Sequence, residues 1–322
     1  WGLTWGNTRE VSNEVAAIMP SDVPNLYLKW AFEYPGAQRA RSHPLIAGGA
    51  VFVGSQSGRV YALDAESGCV RWTFDAPAEV RTGIAFEEAN TSTGKDRRLY
   101  FGDLLGRVYA VDAETGQELW RLRADDHAGT TITGTPTAFE GTLYVAVSSL
   151  EVVSASLDTY ECCSFRGSVL ALDAKSGDKI WQTFTVDVPS AQSVNAAGTQ
   201  NYGPSGAPIW NSPAIDVKRR QLYVGTGENY SSPATLTSDA ILAMGLETGD
   251  LRWSYQATPN DAWNAACVGR RTGANCPEEN GPDFDFGAAA VLTSDSNGND
   301  IVLGAQKSGV VHALNPDTGK LL

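Results

Sequence analysis

The sequence predicts an all-β protein, a β-propeller of the eight-bladed type built from four-stranded antiparallel blades. One segment of the chain recurs five times, and every copy alternates apolar and polar residues before a turn and a Trp or Leu. Two further short apolar segments precede most copies. Repeats of this length indicate units that bury their apolar faces only by stacking on neighbours. The copies are residues 57–72, 105–120, 166–181, 238–253 and 308–322.

Each copy predicts a β-hairpin. The second copy reads LGRVYAVDAETGQELW, and its V-x-A-V-D part alternates with the period of two that is typical of a half-buried strand. Asp or Asn followed by Ser/Thr-Gly is turn chemistry, because the side chain caps the turn and Gly adopts a left-handed conformation at little cost. The return strand ends on Trp, whose large ring we expect between stacked units.

Two more strands complete each predicted blade. The first follows a pattern of small residues and Pro, at residues 41–49, 133–141 and 210–216. The second is a short apolar run that ends in Gly or Ala, at residues 51–54, 99–102, 143–146, 222–225 and 301–304. Together with the hairpin they give four antiparallel strands, which is the composition of a propeller blade.

The repeats predict a single propeller domain over residues 1–322, with about five blades. Residues 1–24 are expected to be an irregular lead-in segment, and residues 25–32 a return strand in which Trp30 is the outer-strand Trp of an earlier blade. The last copy stops one residue before its expected Trp. We therefore expect an incomplete propeller whose C-terminal blades are missing.

Long insertions interrupt the later repeats. Insertions on a regular scaffold commonly gather on one face and carry function, so we expect these to lie together. The alternative is simple variation of surface loops. The insertions cover residues 147–165, 186–208, 228–237 and 257–284.

Composition excludes several classes of partner. The net charge of −13 argues against binding to nucleic acid or to an anionic membrane surface. No run of about 18 apolar residues is present, so no membrane span is predicted. The chain has 3 His and no C-x-x-C-H motif, so no haem attachment site is expected. It begins at Trp1 rather than Met, and we expect a processed chain or a fragment.

Comparison of the repeats with one another points to a central site. The first strand of a propeller blade lines the channel, and the equivalent positions at the start of that strand hold Arg41, Arg81, Thr133, Trp210 and Asp285. Polar groups directed inward are costly unless something uses them. These residues therefore predict either a cofactor site or a water-filled channel with scattered charges.

The turns after the second strands add charged groups at the same mouth. Glu151, Glu228 and Lys307 follow these strands, and the blade register places them near Asp285 and Trp210. Three carboxylates in one pocket repel one another unless a cation is present. Ca²⁺, which takes six to eight oxygen ligands, suits such a cluster.

The repeat x-V-x-A-L-D-x-x-T-G-x-x-x-W resembles that of the pyrroloquinoline quinone (PQQ) propellers. These include the quinoprotein alcohol dehydrogenases and a non-enzymatic outer-membrane assembly propeller. Three segments narrow the resemblance. YQATPNDAW at residues 255–263 resembles a segment of the quinoprotein dehydrogenases, whereas ECCSFRGSVLALD at 161–173 and NGPDFDFGAAAVL at 280–292 resemble the polyvinyl-alcohol dehydrogenase branch.

This resemblance implies an oxidoreductase that uses PQQ and Ca²⁺. Its substrate would be a secondary or polymeric alcohol such as polyvinyl alcohol, oxidised to a ketone or aldehyde with electrons passed to cytochrome c. The alternative is a non-catalytic PQQ-repeat propeller that serves as a protein-binding scaffold. A hydrolase or lyase that uses only the Ca²⁺ site is a third hypothesis, which the YQATPNDAW segment disfavours.

The resemblance also implies a ligand set for the metal. In the family a Glu, an Asn and the catalytic Asp bind Ca²⁺. Glu151 matches the Glu position and Asp285 the Asp position. The Asn position falls on Glu228 or Asn229, because the register allows either residue.

The same comparison implies the catalytic groups. Asp285 matches the base that takes the alcohol proton, and Lys307 matches a basic residue beside the quinone oxygens. The chain departs from the methanol-type pattern, in which the Asp directly follows the Trp of D-x-W, because here Asn264 follows Trp263. If the blade register is wrong, the base is Asp261 or is missing.

Five further residues are candidates to bind PQQ. Trp210 matches the Trp that stacks under the quinone ring, and Thr133 matches a hydroxyl that binds a quinone carboxylate. Arg41, Arg81 and Arg166 are candidates for the three carboxylates of PQQ, because guanidinium pairs with carboxylate in a bidentate manner.

The chain has 5 cysteines, so at least one lacks a partner. Cys162 and Cys163 either close a disulfide ring, which family members pack on the PQQ face opposite the Trp, or remain two reduced buried thiols. We expect Cys267 and Cys276 to form a disulfide that closes an insertion, and Cys69 to be free. Disulfides indicate an oxidising compartment, and therefore a periplasmic or secreted protein.

Overall fold

The computed structural model describes residues 18–92, 94–269 and 273–322. Its regular structure is almost entirely β-strand, and the strands form the four-stranded antiparallel blades that the repeats predict. The prediction of an all-β propeller architecture is confirmed. None of the helices among these residues has the length and apolar character needed to cross a membrane.

The strands follow one another along the chain, blade by blade. Blade 1 comprises β1 (Leu45–Ala47), β2 (Ala50–Gly54), β3 (Arg59–Asp64) and β4 (Val70–Asp75). Blade 2 comprises β5 (Ala85–Thr91), β6 (Gly94–Gly102), β7 (Arg107–Asp112) and β8 (Glu118–Arg123). The short β9 (Thr130–Thr131) precedes blade 3, which comprises β10 (Thr137–Phe139), β11 (Thr142–Ser149), β12 (Ser168–Asp173) and β13 (Lys179–Phe184).

The second half of the chain carries the insertions. The hairpin β14 (Ser190–Val194) and β15 (Gln200–Gly203) and the short β16 (Ser205–Gly206) precede blade 4. Blade 4 comprises β17 (Ala214–Asp216), β18 (Gln221–Gly225), β20 (Ala240–Gly245) and β21 (Leu251–Gln256), while β19 (Asn229–Ser231) pairs with β16. A three-stranded sheet, which we call blade 5, follows with β22 (Val291–Ser294), β23 (Asp300–Ala305) and β24 (Val311–Leu314). The helices are the one-turn α1 (Glu151–Ser154) and the 3₁₀ turns Val23–Asn25 and Ala265–Cys267.

The core lies between blades, because each sheet is buried on both faces. Successive residues of a strand point to opposite faces. In β11, Leu143 and Val145 pack into the cluster shared with blade 2, whereas Tyr144 and Ala146 pack into the cluster shared with blade 4. The inner strands of a blade are therefore apolar at nearly every position.

The Trp that ends each hairpin joins its blade to the next one. The indole N–H of Trp120 donates to the carbonyl of Ala174 at 3.1 Å, and its ring packs on Gly177 in the turn of blade 3. A Cβ on Gly177 would lie 2.8 Å from that ring. The turn Gly therefore supplies space for the neighbouring Trp in addition to its left-handed conformation. The same pairing joins Trp30 to Gly68, Trp72 to Gly116, Trp181 to Gly249 and Trp253 to Gly319.

The prediction of a return strand at residues 25–32 is wrong. This segment forms a 3₁₀ turn and then irregular chain, with no strand in the described residues before β1. The role predicted for Trp30 is nevertheless present, since its indole N–H donates to the carbonyl of Ala65 at 3.1 Å. Of the predicted lead-in, residues 1–17 lie outside the described residues.

The insertions of blades 3, 4 and 5 come together on one face of the propeller. Asn275 donates its amide N–H groups to the carbonyls of Leu157 at 2.9 Å and Tyr160 at 3.1 Å. The backbone N–H of Tyr202 donates to the carbonyl of Cys162 at 2.7 Å. We call the joined insertions, as far as they are described (residues 147–165, 186–208, 257–269 and 273–284), the cap. The insertion at residues 228–237 also contacts the cap, because the backbone N–H of Ala234 donates to Oε1 of Glu279 at 3.0 Å. Our expectation that the insertions would gather is confirmed.

Candidate active site

The residues predicted at the start of each first strand converge on the propeller channel. Arg41, Arg81, Thr133 and Trp210 line one cavity of about 140 Å³. Arg81, Thr133 and Trp210 also line a second cavity of about 250 Å³ under the cap, together with Asp285. These three residues line both cavities. The comparison of the repeats with one another therefore selected residues that do lie together in space.

We call the larger of these two cavities the upper cavity. Aromatic rings, hydroxyl groups and acidic side chains all line it. Blades 2 to 5 and the cap all contribute to it. Its lining residues are Arg81, Thr131, Thr133, Ser148, Ser149, Leu150, Val152, Pro208, Trp210, Glu228, Tyr230, Trp263, Asp283, Asp285 and Lys307.

Trp210 and Asp285 are joined directly. The indole Nε1–H of Trp210 donates to Oδ2 of Asp285 at 2.7 Å. Gly287, two residues further along the same strand-start segment, lies against the indole ring, and a Cβ there would lie 2.1 Å from the ring. Because residues i and i+2 of an extended chain face the same way, Asp285 and Gly287 together fix the position of Trp210.

Three carboxylates form a compact cluster at the acidic end. Oxygens of Glu228, Asp283 and Asp285 lie within 4.8 Å of one another. The backbone N–H of Glu228 donates to Oδ1 of Asp285 at 3.3 Å. Gly227 leaves the space for this contact, since a Cβ there would lie 2.9 Å from the Asp285 carboxylate. We call these three residues the carboxylate cluster.

Burial and mutual repulsion disturb the ionisation of this cluster. Burial, and then the adjacent Asp285, raise the pKa of the Glu228 carboxyl well above its usual range. Burial raises the pKa of Asp283 to about 6, although Lys307 opposes the shift. Such shifts arise when like charges share a site without a counter-ion. The cluster is therefore a place where a cation would restore the charged form of the carboxyls.

Lys307 is the cation that the described chain supplies at this end. Its Nζ lies 2.7 Å from Oδ1 of Asp283 and 3.2 Å from Oδ2 of Asp285, and 5.7 Å from the ring centre of Trp210. Burial alone would lower the pKa of Lys307, but the two Asp carboxylates raise it. One ammonium faces three carboxyl groups, so the cluster keeps an excess of negative charge.

Glu151, predicted as a metal ligand, lies elsewhere. It is fully buried at the start of α1, and its carboxylate accepts the backbone N–H groups of Ser164 at 2.9 Å and Phe165 at 2.8 Å. The Tyr160 hydroxyl donates to it at 3.0 Å, and His127 Nε2 lies 3.3 Å away. Glu151 is not part of the carboxylate cluster in the described chain. Four protein neighbours hold its carboxylate in this position, and the ligand role predicted for Glu151 stays a prediction.

Asn229 is also turned away from the cluster. Its Nδ2 donates to the carbonyl of Ser205 at 2.9 Å, and its Oδ1 accepts the backbone N–H of Thr235 at 2.7 Å. Glu228 is therefore the member of this pair that faces the cavity. Neighbouring residues in extended chain point in opposite directions, which is why only one of the two does so.

Arg166 does not reach either cavity. Its Nε donates to the carbonyl of Val186 at 2.9 Å, and its guanidinium carbon lies 3.8 Å above the ring of Phe184. Sequence reasoning selected Arg166 for its charge, but this cation–π contact on the blade 3 edge explains its presence. Arg41 and Arg81 remain the guanidinium groups near the channel centre, where burial and then the charge of Arg41 lower the pKa of Arg81.

Cys162 and Cys163 form a disulfide, and both side chains are buried. Neither residue lines the upper cavity. The Sγ of Cys163 lies 3.9 Å from the carbonyl oxygen of Tyr230, and Tyr230 itself lines the cavity. The pair therefore contacts a residue of the cavity lining, and its predicted contact with the cofactor stays a prediction.

The other cysteines match their predictions. Cys267 and Cys276 form a disulfide within the cap, and Cys69 is a free, exposed thiol.

Sequence reasoning gave no role to several residues of the upper cavity, and three of these have acidic or aromatic side chains. Asp283 belongs to the cluster, and the D-F-D pattern contained a signal for it, because alternate residues of extended chain share a face. Trp263 belongs to the quoted YQATPNDAW segment but received no role. Tyr230 gave no sequence signal, since an aromatic residue in a short strand such as β19 is more commonly part of the core.

Comparisons with known proteins identify the family of the chain. Residues 5–267 match the family model described as "Glucose/ethanol/alcohol dehydrogenase, beta-propeller domain", abbreviated PQQ. The chain is 40% identical to a polyvinylalcohol dehydrogenase of Pseudomonas sp, and the match covers 100% of this chain and 50% of that protein. It is 38% identical to a polyvinylalcohol dehydrogenase of Sphingopyxis sp. (strain 113P3), and that match covers 93% of this chain and 46% of the relative. The chain thus spans about half the length of the curated relatives it matches.

Solved structures show the same fold. The quinohemoprotein alcohol dehydrogenase from Comamonas testosteroni superposes on 94% of this chain with a TM-score of 0.68 and 23% identity, and 45% of that protein is covered. A europium-containing methanol dehydrogenase superposes on 94% of this chain with a TM-score of 0.69 and 22% identity, and 53% of that protein is covered.

Proposed function

The chain belongs to the PQQ β-propeller family of glucose, ethanol and alcohol dehydrogenases, and from that membership we propose that it oxidises an alcohol with PQQ and Ca²⁺ as cofactors. The substrate is a secondary or polymeric alcohol, such as polyvinyl alcohol, and the product a ketone or aldehyde. The names of the two most similar relatives described above support this substrate class. The electrons pass to a cytochrome c.

The observation that carries the proposal is the carboxylate cluster beside Trp210. Its oxygens lie within 4.8 Å of one another, and only Lys307 balances them among the described residues. Burial and Asp285 raise the pKa of the Glu228 carboxyl, so a bound cation would favour its ionised form. Carboxylate oxygens are the ligands that Ca²⁺ prefers, so the residues present fit this cation. Glu228, Asp283 and Asp285 would hold it.

The upper cavity also fits a flat quinone that carries carboxylates. The Trp210 ring offers a stacking surface, and Arg81 and the hydroxyls of Thr133 and Ser149 line the same cavity and can bind the quinone carboxylates. The volume of about 250 Å³ is close to the lower end of the range for sites of drug-sized ligands. Arg41, which lines the cavity below Trp210, is a weaker candidate for the same carboxylates.

The chain's own groups have distinct tasks in this reaction. Bound PQQ supplies the two-electron acceptor, and the bound cation supplies Lewis acidity. Asp285 is the base that takes the hydroxyl proton of the alcohol. The N–H groups of Trp210 and of the Glu228 backbone hold its carboxylate in place, and the Lys307 ammonium places positive charge beside it.

The proposal is tested by measuring alcohol oxidation with a redox dye as electron acceptor. The chain, loaded with PQQ and Ca²⁺, is expected to reduce the dye in the presence of a secondary alcohol or polyvinyl alcohol. Asp285→Asn should abolish this reaction while retaining the fold. Asp126→Asn, which removes an exposed carboxylate of the same type, is the matched control and should leave the rate unchanged. Equal rates in the two variants would contradict the role of Asp285.

Two further parts of the proposal concern the surroundings of the enzyme. The two disulfides support a periplasmic or secreted location, since such bonds persist in oxidising compartments. A cytochrome c is proposed as the electron acceptor in that compartment. Mixing the reduced holoprotein with horse-heart cytochrome c and following haem reduction tests this partner, and absence of reduction with an otherwise active protein would contradict it.

A further inference from the structure

We infer that Asp261 is a positioning residue for the proposed cation site, which holds the segment carrying Asp283 and Asp285 against the segment carrying Glu228. This inference rests on the function proposed above. It assigns a task to a buried carboxylate that the proposed chemistry does not use, and it replaces the alternative in which Asp261 is itself the base.

Asp261 is attached on one side to the segment of Glu228. The backbone N–H of Asn229 donates to the Asp261 carbonyl at 3.2 Å, and the backbone N–H of Trp263 donates to the Asn229 carbonyl at 2.8 Å. These two hydrogen bonds make Asn229 and Ala262 partners in an isolated parallel β-bridge. Residues 261–263 therefore lie alongside Glu228 in a fixed register.

The other side of Asp261 is attached to the segment of the two Asp ligands. Its Oδ2 accepts the backbone N–H of Phe284 at 3.2 Å, and Phe284 lies between Asp283 and Asp285 in the chain. The backbone N–H of Gly281 donates to the carbonyl of Ala262 at 3.0 Å. One residue thus links the two backbone segments from which all three carboxylates of the cluster project.

The Asp261 carboxylate packs directly against Gly281, which leaves no room for a larger residue. A Cβ on Gly281 would lie only 2.1 Å from Oδ1 of Asp261, so a larger residue there would displace the carboxylate. Asp261 has no exposed surface and does not line the upper cavity. Its Oδ1 has no hydrogen-bond partner in the described chain. A side chain in this position cannot reach an alcohol in the cavity, but it can restrain Phe284.

A buried carboxylate with one unpaired oxygen is costly, so its presence needs a reason. Residues that orient metal ligands from behind commonly change metal affinity by tenfold or more when they are replaced. A residue that only stabilises the fold would change the unfolding temperature without changing the affinity of the folded protein for a cation. This difference separates the two roles.

The test is a titration of the chain with Tb³⁺, a luminescent ion with the oxygen preference of Ca²⁺, excited through nearby Trp rings. Asp261→Ala removes the acceptor of the Phe284 N–H, and we expect it to weaken Tb³⁺ binding by about tenfold or more. Asp261→Asn keeps an acceptor oxygen, and we expect a loss of less than about threefold. Circular dichroism and thermal unfolding confirm that each variant is folded at the titration temperature.

Asp239→Asn is the matched control. Asp239 is another fully buried carboxyl, both of whose oxygens lack a partner in the described chain, and no hydrogen bond joins its side chain to a cluster segment. Burial raises its pKa to about 9, so Asn replaces one neutral group by another near neutral pH. We expect this variant to bind Tb³⁺ like the original chain.

A double-mutant cycle sharpens the test. Gly281→Ala should weaken Tb³⁺ binding in the original chain, because its Cβ displaces the Asp261 carboxylate. In the Asp261→Ala background the same change should cause a clearly smaller loss, because only the contact of this Cβ with the backbone Cα of residue 261, at 2.8 Å, remains. Additive losses, equal affinities in all variants, or equal losses in Asp261→Asn and Asp261→Ala would each overturn the inference. If the original chain itself binds neither Tb³⁺ nor Ca²⁺, the proposed function fails instead.

Discussion

The indole Nε1–H of Trp210 donates to Oδ2 of Asp285 at 2.7 Å, which joins the proposed stacking surface of the cofactor to the proposed base. The two residues come from blades 4 and 5, so this contact also connects the blades at the channel. The carboxylate is held on its other oxygen by the backbone N–H of Glu228 at 3.3 Å. Cofactor binding and proton transfer are therefore expected to depend on one another.

Replacement of Trp210 by Phe separates these two roles. The Phe ring keeps a flat apolar surface, so we expect PQQ affinity to fall only moderately. Loss of a hydrogen bond to a charged group should reduce kcat by about tenfold or more. Trp253→Phe, which removes an indole donor far from the site, serves as control and should change only stability. An unchanged kcat in Trp210→Phe would show that the indole N–H does not orient the base.

Cation binding is expected to release protons. Without the cation, burial and then Asp285 raise the pKa of Glu228, and burial raises that of Asp283 to about 6. A bound cation favours the ionised carboxylates, so these protons leave on binding. Ca²⁺ affinity should therefore rise as the pH increases through the pKa of Asp283, which is about 6, and should continue to rise until Glu228 is also ionised. Calorimetry in two buffers of different ionisation enthalpy measures the number of protons released when Ca²⁺ binds. The Glu228→Gln variant should release fewer protons than the original chain. An affinity that does not change with pH would contradict this account.

Gly177→Ala tests the contact between Trp rings and turns. Gly177 has a φ of 80°, and its Cβ would lie 2.8 Å from the ring of Trp120. Gly198 has a nearly equal φ of 83° but nothing within 4 Å of its Cβ position. Both Ala variants lose the backbone freedom of Gly, and only Gly177→Ala also displaces the ring. We expect it to be less stable than Gly198→Ala by about 1–3 kcal/mol in urea unfolding. Equal stabilities would show that the ring contact contributes little.

Asp239 should make the protein less stable at high pH. Burial, and then the charge of Asp261, raise the pKa of the folded-state carboxyl to about 9, whereas an Asp in the unfolded chain has a pKa near 3.8. Between these values the folded state binds one more proton than the unfolded state, so stability falls as the pH rises. Relative to Asp239→Asn, the original chain should lose about 1 kcal/mol per pH unit over this range. If the free energy of unfolding changed with pH in the same way in both proteins from about pH 5 to about pH 8, the raised pKa of Asp239 would be contradicted.

The repeated hairpin made the blades predictable from sequence. The V-x-A-L-D strand, the Gly turn and the terminal Trp are local signals, and their recurrence located the hairpin strands of each blade, although not the short strands β9, β14, β15, β16 and β19. Residues 25–32 show the limit of this reasoning. Trp30 has the contact of an outer-strand Trp, but its neighbours form no strand, because the indole contact with Ala65 requires the ring and not the strand.

Site residues whose positions follow from the repeated blades could be predicted from sequence. Residues in or beside the cap could not. Asp285 and Trp210 occupy equivalent positions in their blades, and the structure joins them as expected. Glu151 and Arg166 lie in or beside the cap, which has no repeat to fix its register. Their neighbours in space, such as Phe165 for Glu151 and Phe184 for Arg166, come from packing that local sequence does not encode.

The central claim is most directly tested by titrating the chain with PQQ in the presence and absence of Ca²⁺, while following the fluorescence of its Trp residues. The account predicts saturable quenching that requires Ca²⁺ and that disappears in Trp210→Ala and Asp285→Ala. Absence of saturable quenching with Ca²⁺ present would contradict the quinoprotein assignment and would favour a non-catalytic propeller that binds other proteins.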